Sequence, residues 1–147
     1  MTCIFTMNNI APYLILIANI FLTTTYGCVL SKQYEVHVVN KMPLPRMKVH
    51  CASADNDLGY HYAEPDYDLN WKFCENITGS TLYFCTLRWR NKEVSFNAFT
   101  SHLKNDPCSK GICRFEARTN GIYFSGGASP TMTMLYFWKN HTGQFVL

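Results

Sequence analysis

The chain has 147 residues, with 13 Lys+Arg against 10 Asp+Glu and a formal net charge of +3. That length suits one domain, and so mild a basic excess gives no support for a nucleic-acid partner. Seven cysteines are a high count for so short a chain and direct attention to the redox compartment.

Residues 1–27 carry no Asp, Glu, Lys or Arg, and 13–22 is a nearly continuous apolar run. The run is too short to span a bilayer comfortably, and small polar residues apart from Tyr26 follow it. This predicts a secretory signal peptide over 1–27, removed after Gly27, although its only positive charge is the terminal amine. The mature domain, 28–147, then keeps every charged side chain and has no stable membrane insertion. It holds Cys28, Cys51, Cys74, Cys85, Cys108 and Cys113, an even set that predicts a disulfide framework in an oxidising compartment. A domain of this size also builds an apolar core, so the bridges supplement packing. The sequons Asn76-Ile77-Thr78 and Asn140-His141-Thr142 agree with the secretory route and predict glycosylation at Asn76 and Asn140.

In chain order, Tyr34, Val36 and Val38 alternate with Glu35 and His37 as a first strand. Pro43 and Pro45 interrupt ladder bonding, so the chain turns over 41–46. Met47 and Val49 alternate with Lys48 and His50 up to Cys51, the next strand. Small, polar and acidic residues then lead to Gly59, a sharp turn, followed by a short strand over 59–62. Pro65 with Glu64, Asp66 and Asp68 makes 63–68 a solvated loop. The strand over 69–74 places Trp71 and Phe73 on one face and Lys72 and Cys74 on the other. Gly79 and the first sequon mark a turn over 75–80.

The run 81–89 is apolar at nearly every position and predicts a central strand covered on both faces. Its polar exit, 88–93, leads into a hairpin whose return carries Val94, Phe96 and Ala98. A loop over 100–107 follows. Asn120-Gly121 between two β-forming segments predicts a two-residue type I′ turn. A loop over 126–130 leads to a closing strand, 133–138, with Met134, Tyr136 and Trp138 on one face. No sustained helical period and no repeat occurs after residue 30. The fold class is therefore all-β, a small disulfide-stapled sandwich of two antiparallel sheets with eight or nine strands.

The acidic turn invites a calcium reading, but Gly59, Tyr60 and Asp66 fall where an EF-hand needs a ligand, a glycine and a bidentate Glu. Asp side chains bonding backbone N–H groups in a tight turn explain it better. The five histidines show no short-spaced pair and the cysteines no Cys-x-x-Cys, so neither a metal nor a cofactor is expected. His50 alternates with buried Val49, so it faces outward or lines the turn. No catalytic motif occurs, and no catalytic residue is nominated. Arg88, Arg90 and Lys92 around Trp89 form a hairpin tip that could stack and pair with phosphates, or simply be solvated. With Glu64, Asp66 and Asp68 on a loop of opposite charge, these residues are the candidates for partner binding.

The ordered set Val49-His50-Cys51, Asp55 to Gly59 with His61 beyond, Trp71-x-Phe73-x-x-Asn76, Leu82-Tyr83-Phe84-Cys85, Cys108 with Cys113, and Trp138 resembles the plant self-incompatibility S1 family, the S-protein homologues. The resemblance covers roughly residues 34–138. It implies a hairpin-rich two-sheet sandwich and a secreted ligand for a cell-surface receptor, since the founding members are stigma-secreted determinants recognised at the pollen surface. Secreted plant ribonucleases, the enzyme rival, carry paired histidine motifs that this chain lacks. A hydrolase or nuclease using His50, His61 and the acids is the second reading; a carbohydrate- or lipid-binding sandwich displaying Trp89 or Trp138 is the third. The family's cysteine pattern matches Cys51, Cys85, Cys108 and Cys113, implying two bridges whose pairing stays open. Cys28 and Cys74 are extra. An outward Cys74 and a mobile Cys28 predict a bridge between them, with an intermolecular bridge as the rival.

Overall fold

Strict alternation puts a buried side chain at every second position of most extended segments, and each segment must then find a second layer to cover that face. The computed structural model describes residues 28–101, 108–127 and 131–140, and over them two five-stranded sheets cover one another. One sheet contains β1 (Gln33–Asn40), β4 (Asp68–Cys74), β7 (Ile112–Arg118), β8 (Gly121–Gly126) and β9 (Thr133–Tyr136), side by side as β4-β1-β7-β8-β9. The other contains β2 (Met47–Ala52), β3 (Asp57–Ala63), β5 (Leu82–Trp89), β6 (Lys92–Thr100) and β10 (Lys139–Asn140), as β10-β6-β5-β2-β3. The tenth strand, beyond the eight or nine expected, is the two-residue β10 opposite Lys92 and Glu93. The leader and the histidines at 102 and 141 lie outside the described residues.

The sheets are antiparallel but for one pair. β1 runs parallel to β7, with Val36 opposite Cys113, and antiparallel to β4, with Val36 opposite Trp71. Neither neighbour is adjacent to β1 in the chain, so no hairpin signal could have announced them.

Between the sheets lie Val36 and Val38 of β1, Met47 and Val49 of β2, Leu87 of β5 and Phe115 of β7. Each such side chain contributes about 1.5–3 kcal/mol when fully buried. Aromatic rings join the layers: Tyr34 meets Phe99 at 4.4 Å between centroids, and Phe96 meets Phe115 at 4.9 Å. Cys51 and Cys85 sit directly opposite on β2 and β5 and are bonded inside this core. Cys108 bonds Cys113 at the entry to β7, and Cys28 bonds Cys74, tying the segment that leads into β1 to the end of β4.

Four local expectations are corrected. β5 is central but covered on one face only: Tyr83, Cys85, Leu87 and Trp89 are buried, whereas Leu82, Phe84 and Arg88 face solvent. The segment 63–68 is not wholly a solvated loop, since Ala63 is buried at the end of β3 and Asp68 opens β4. The β7–β8 turn is Thr119-Asn120, because Gly121 already pairs with Arg118, and neither turn residue takes positive φ. Gly121 is needed for space instead: a Cβ there would lie 2.6 Å from the Tyr136 carbonyl oxygen on β9. Finally, the closing strand ends at Tyr136, and Trp138 reaches back to donate its indole N–H to Arg118 O at 2.7 Å.

Candidate recognition site

Because β3, β2, β5 and β6 are adjacent, their outward residues form rows across the sheet. One row reads Tyr62, Lys48, Arg88, Glu93; the next reads Tyr60, His50, Thr86, Ser95. Side chains directly opposite on neighbouring strands are close enough to interact. Tyr60 and Tyr62 are 64% and 62% exposed, large rings on an edge strand. Lys48 Nζ sits 4.1 Å from the centre of the Tyr60 ring, a cation–π contact, and the His50 imidazole stacks on the same ring at 4.4 Å. A depression of about 120 Å³ is lined by Lys48, His50, Tyr60, Thr86 and Arg88. A broader hollow of about 630 Å³ adjoins it, bounded by Arg46, Lys48, Tyr62, Arg88 and Arg90. The face is thus aromatic and basic.

Its geometry is held by the acidic turn. Asp57 Oδ1 accepts the Gly59 N–H at 2.8 Å and the His50 Nε2–H at 2.8 Å. Those two bonds, the backbone one first, hold the Asp57 carboxyl below its usual range. Gly59 adopts φ +76°, which a side chain would resist. An Asp–His pair also raises the question of acid–base chemistry. The hydroxyls of its own row, Thr86 and Ser95, bond each other at 2.8 Å, and among the described residues no hydroxyl bonds the His50 ring. His61 lies on the opposite side of β3 and donates to Leu58 O at 2.9 Å. The two histidines therefore form no joint site. Among the described residues no three His, Cys, Asp or Glu side chains are placed to hold one metal ion.

The residues singled out from the sequence do not assemble as one tip. Arg88 belongs to the basic rows and is paired with Glu93. Trp89 is corrected from a display residue to a core one: it is 7% exposed, and its indole N–H lies 2.9 Å from both the Pro43 and the Pro45 carbonyl oxygens. Neither Trp89 nor Trp138, whose indole N–H is also spent on a backbone carbonyl, presents a free polar edge to a sugar. Arg90 begins the two-residue β5–β6 turn at φ 53°, caps the Trp89 ring at 4.4 Å and donates to Leu44 O. Lys92 donates to Thr119 O at 2.8 Å. Glu64 pairs with Arg46 at 3.3 Å, Asp66 with Lys41 at 2.6 Å, and Asp68 with His37 at 2.9 Å. Tyr60, Tyr62 and Lys48 went unnoticed in the sequence; the alternation of β3 against β2 was the signal that could have placed them together.

The outer face of the other sheet has a different character. Lys72, Glu35, His37, Asp68, Arg114 and Glu116 form a chain of ion pairs and hydrogen bonds, ending on Arg118 2.8 Å from Glu116. Burial works against the Glu116 charge, yet Arg118 and then Arg114 hold its carboxyl below the usual range. Charges that satisfy one another in this way leave less for a partner.

The family profile described as plant self-incompatibility protein S1 matches residues 35–138, from within β1 to just before β10. This chain belongs to that family. It is 29% identical over 93 residues to S-protein homolog 2 of Arabidopsis thaliana, covering 61% of this chain and 58% of that one. With S-protein homolog 6 of the same plant it shares 32% identity over 91 residues, 65% of that relative's length. The aligned part thus spans about three fifths to two thirds of these relatives. Self-incompatibility protein S1 of Papaver rhoeas is 29% identical over 115 residues, 76% of this chain and 80% of that one. A solved structure of SPH (self-incompatibility protein homologue) proteins, described as a widespread family of small, highly stable, secreted proteins from plants, shares the fold. Its TM-score is 0.62 at 22% identity, covering 77% of this chain and 100% of that one.

Proposed function

We propose that this S1-family protein is an extracellular ligand that binds a cell-surface partner and carries out no chemistry of its own. The leader over 1–27 takes it to the secretory pathway, and the stapled sandwich presents a fixed surface. The observation that carries the reading is the exposed, ordered Tyr60–Tyr62 pair set against Lys48 and Arg88 on a rigid sheet. Aromatic and arginine side chains are the residues that dominate binding energy at interfaces. The partner's complementary surface is acidic, so binding weakens as salt rises.

The test is saturable binding of the labelled mature protein to plant cells. Lys48→Glu and Tyr60→Ala/Tyr62→Ala variants should lose at least tenfold in affinity while melting like the wild type. Variants that fold and bind normally would move recognition away from this face. Hydrolysis of RNA, glycan or peptide by pure protein, abolished by His50→Ala, would replace the ligand reading with the enzyme one.

A further inference from the structure

One end of the sandwich holds a groove of about 650 Å³ between the β2–β3 turn and the β4–β5 loop. That volume lies within the roughly 300–1,000 Å³ of sites that take small ligands. Phe73, Leu82 and Phe84 line it, with Asp55, Asn56 and Asn76 among its polar members. Leu82 and Phe84 are 44% and 41% exposed on a central strand, where large apolar side chains usually have cover. Phe84 is also the edge of the recognition face, with its ring 6.4 Å from that of His50. What covers these side chains should therefore be attached nearby or supplied by a partner.

Asn76 supplies such an attachment. It is exposed, and its Oδ1 accepts two bonds from Thr78, at 3.1 Å from the backbone N–H and at 3.0 Å from the hydroxyl. The sequon is thereby folded into an Asx turn that engages the oxygen of the amide and leaves Nδ2 without a partner among the described residues. Glu75 N–H bonds Lys32 O at 2.9 Å, Asn76 N–H bonds the Thr81 hydroxyl at 2.7 Å and Gly79 N–H bonds Asn76 O at 2.7 Å, so the backbone is fixed at the attachment point.

We infer that Asn76 carries an N-linked glycan whose first sugars lie in this groove, with their apolar ring faces on Phe84 and Leu82. The attachment forms a bond from Nδ2 to C1 of an N-acetylglucosamine. It breaks the C1–O bond to a polyprenyl diphosphate carrier, and the lipid diphosphate leaves with the amide proton. A tethered sugar reaches the groove at a high effective concentration, so even weak stacking is populated. The polar rim of Asp55 and Asn56 offers acceptors and donors for its hydroxyls, while the apolar floor excludes water from its ring face. The glycan would cover the apolar end of β5 and leave the Lys48–Arg88 rows open.

The experiment uses full-length protein secreted from a eukaryotic host. Peptide mass spectrometry reads occupancy of Asn76, and peptide-N-glycosidase treatment of the folded protein removes the whole glycan without refolding, leaving a carboxylate where the Asn76 amide was. The glycoform is expected to melt several degrees higher than enzymatically stripped protein and to bind less of a hydrophobic fluorescent dye. Phe84→Ser should leave Asn76 occupied and remove most of the difference between glycosylated and stripped protein. An unmodified Asn76 in the secreted protein overturns the inference. Identical melting and dye binding with and without the glycan, or a glycan benefit unchanged in Phe84→Ser, overturns the seating in the groove. None of these readouts involves cell binding, so the ligand reading stands or falls separately.

Discussion

The side-chain amide of Asn40 donates to the carbonyl of Ala63 at 2.9 Å, joining the end of β1 to the end of β3 in the other sheet. Asn40 is fully buried, and all of its polar groups are used. Nδ2 also reaches Glu64 O, Oδ1 accepts Met42 N–H, the backbone N–H bonds Tyr67 O, and the backbone carbonyl accepts Asp66 N–H. One side chain thus orders both the 41–46 turn and the 64–67 loop. Asn40→Ala would strand the Ala63 carbonyl and the Met42 N–H and free the half-buried Glu64 carbonyl, for a loss of about 2–5 kcal/mol in chemical denaturation. A loss under about 1 kcal/mol would mean that water replaces the amide without cost.

Trp89 separates a core role from a display role. Trp89→Phe keeps an aromatic ring but removes the bond to the Pro43 and Pro45 carbonyls, and should lower stability by about 1–2 kcal/mol. Trp89→Ala should cost about 3–5 kcal/mol, as truncated core aromatics do. Near-neutral effects of both in thermal and urea melts would return the residue to the surface.

The two depressed carboxyls set the direction of the acid dependence. Glu116 and Asp57 lie below ordinary values of 4.5 and 3.8. A depressed acid adds stability above its unfolded pKa, and this is lost as pH falls through the folded pKa. Wild type should therefore melt higher than Glu116→Gln near neutrality, and the gap should narrow as the pH falls below 4.5 and through the depressed pKa. Asp57→Asn should behave likewise with a smaller gap, because Asp57 is exposed. A gap that widens in acid would contradict both assignments.

Gly121 and Gly59 should fail for different reasons when changed to Ala. At Gly121 the new methyl meets the Tyr136 carbonyl oxygen at 2.6 Å and Met134 Sδ at 2.9 Å, so β8 and β9 must part, at about 1–3 kcal/mol. At Gly59 the space is open but φ is +76°, worth about 1–2 kcal/mol of backbone strain. Hydrogen exchange separates the two: only Gly121→Ala should loosen β9.

The Cys28–Cys74 bridge closes a separation of 46 residues. In the chain-entropy picture Cys28→Ser/Cys74→Ser lowers stability by about 3–4 kcal/mol. Non-reducing electrophoresis and thiol titration should find a monomer without free thiols in the wild type. A covalent dimer lost on Cys74→Ser would indicate pairing between chains.

Alternation along each strand is a local property, so the sequence by itself determined which residues of β1, β2, β4 and β6 face inward. It also determined that Cys74 shares the outer side of β4 with Lys72, and that Asp57 and Gly59 build a tight turn. Long-range pairing is not local. Only the tertiary structure decided that β1 lies parallel to β7, because the two strands are separated by most of the domain and no hairpin links them. Only the fold turned Trp89 inward, since what draws it there is the pair of carbonyls at Pro43 and Pro45, more than forty residues earlier. The same holds for the recognition face. Lys48, Tyr60 and Arg88 are unremarkable side chains until β3, β2 and β5 pair in one register and bring them into rows. The hairpin tip that looked like a charged surface had its charges taken up by Glu93, Leu44 and Thr119, contacts that depend on which strands become neighbours in space.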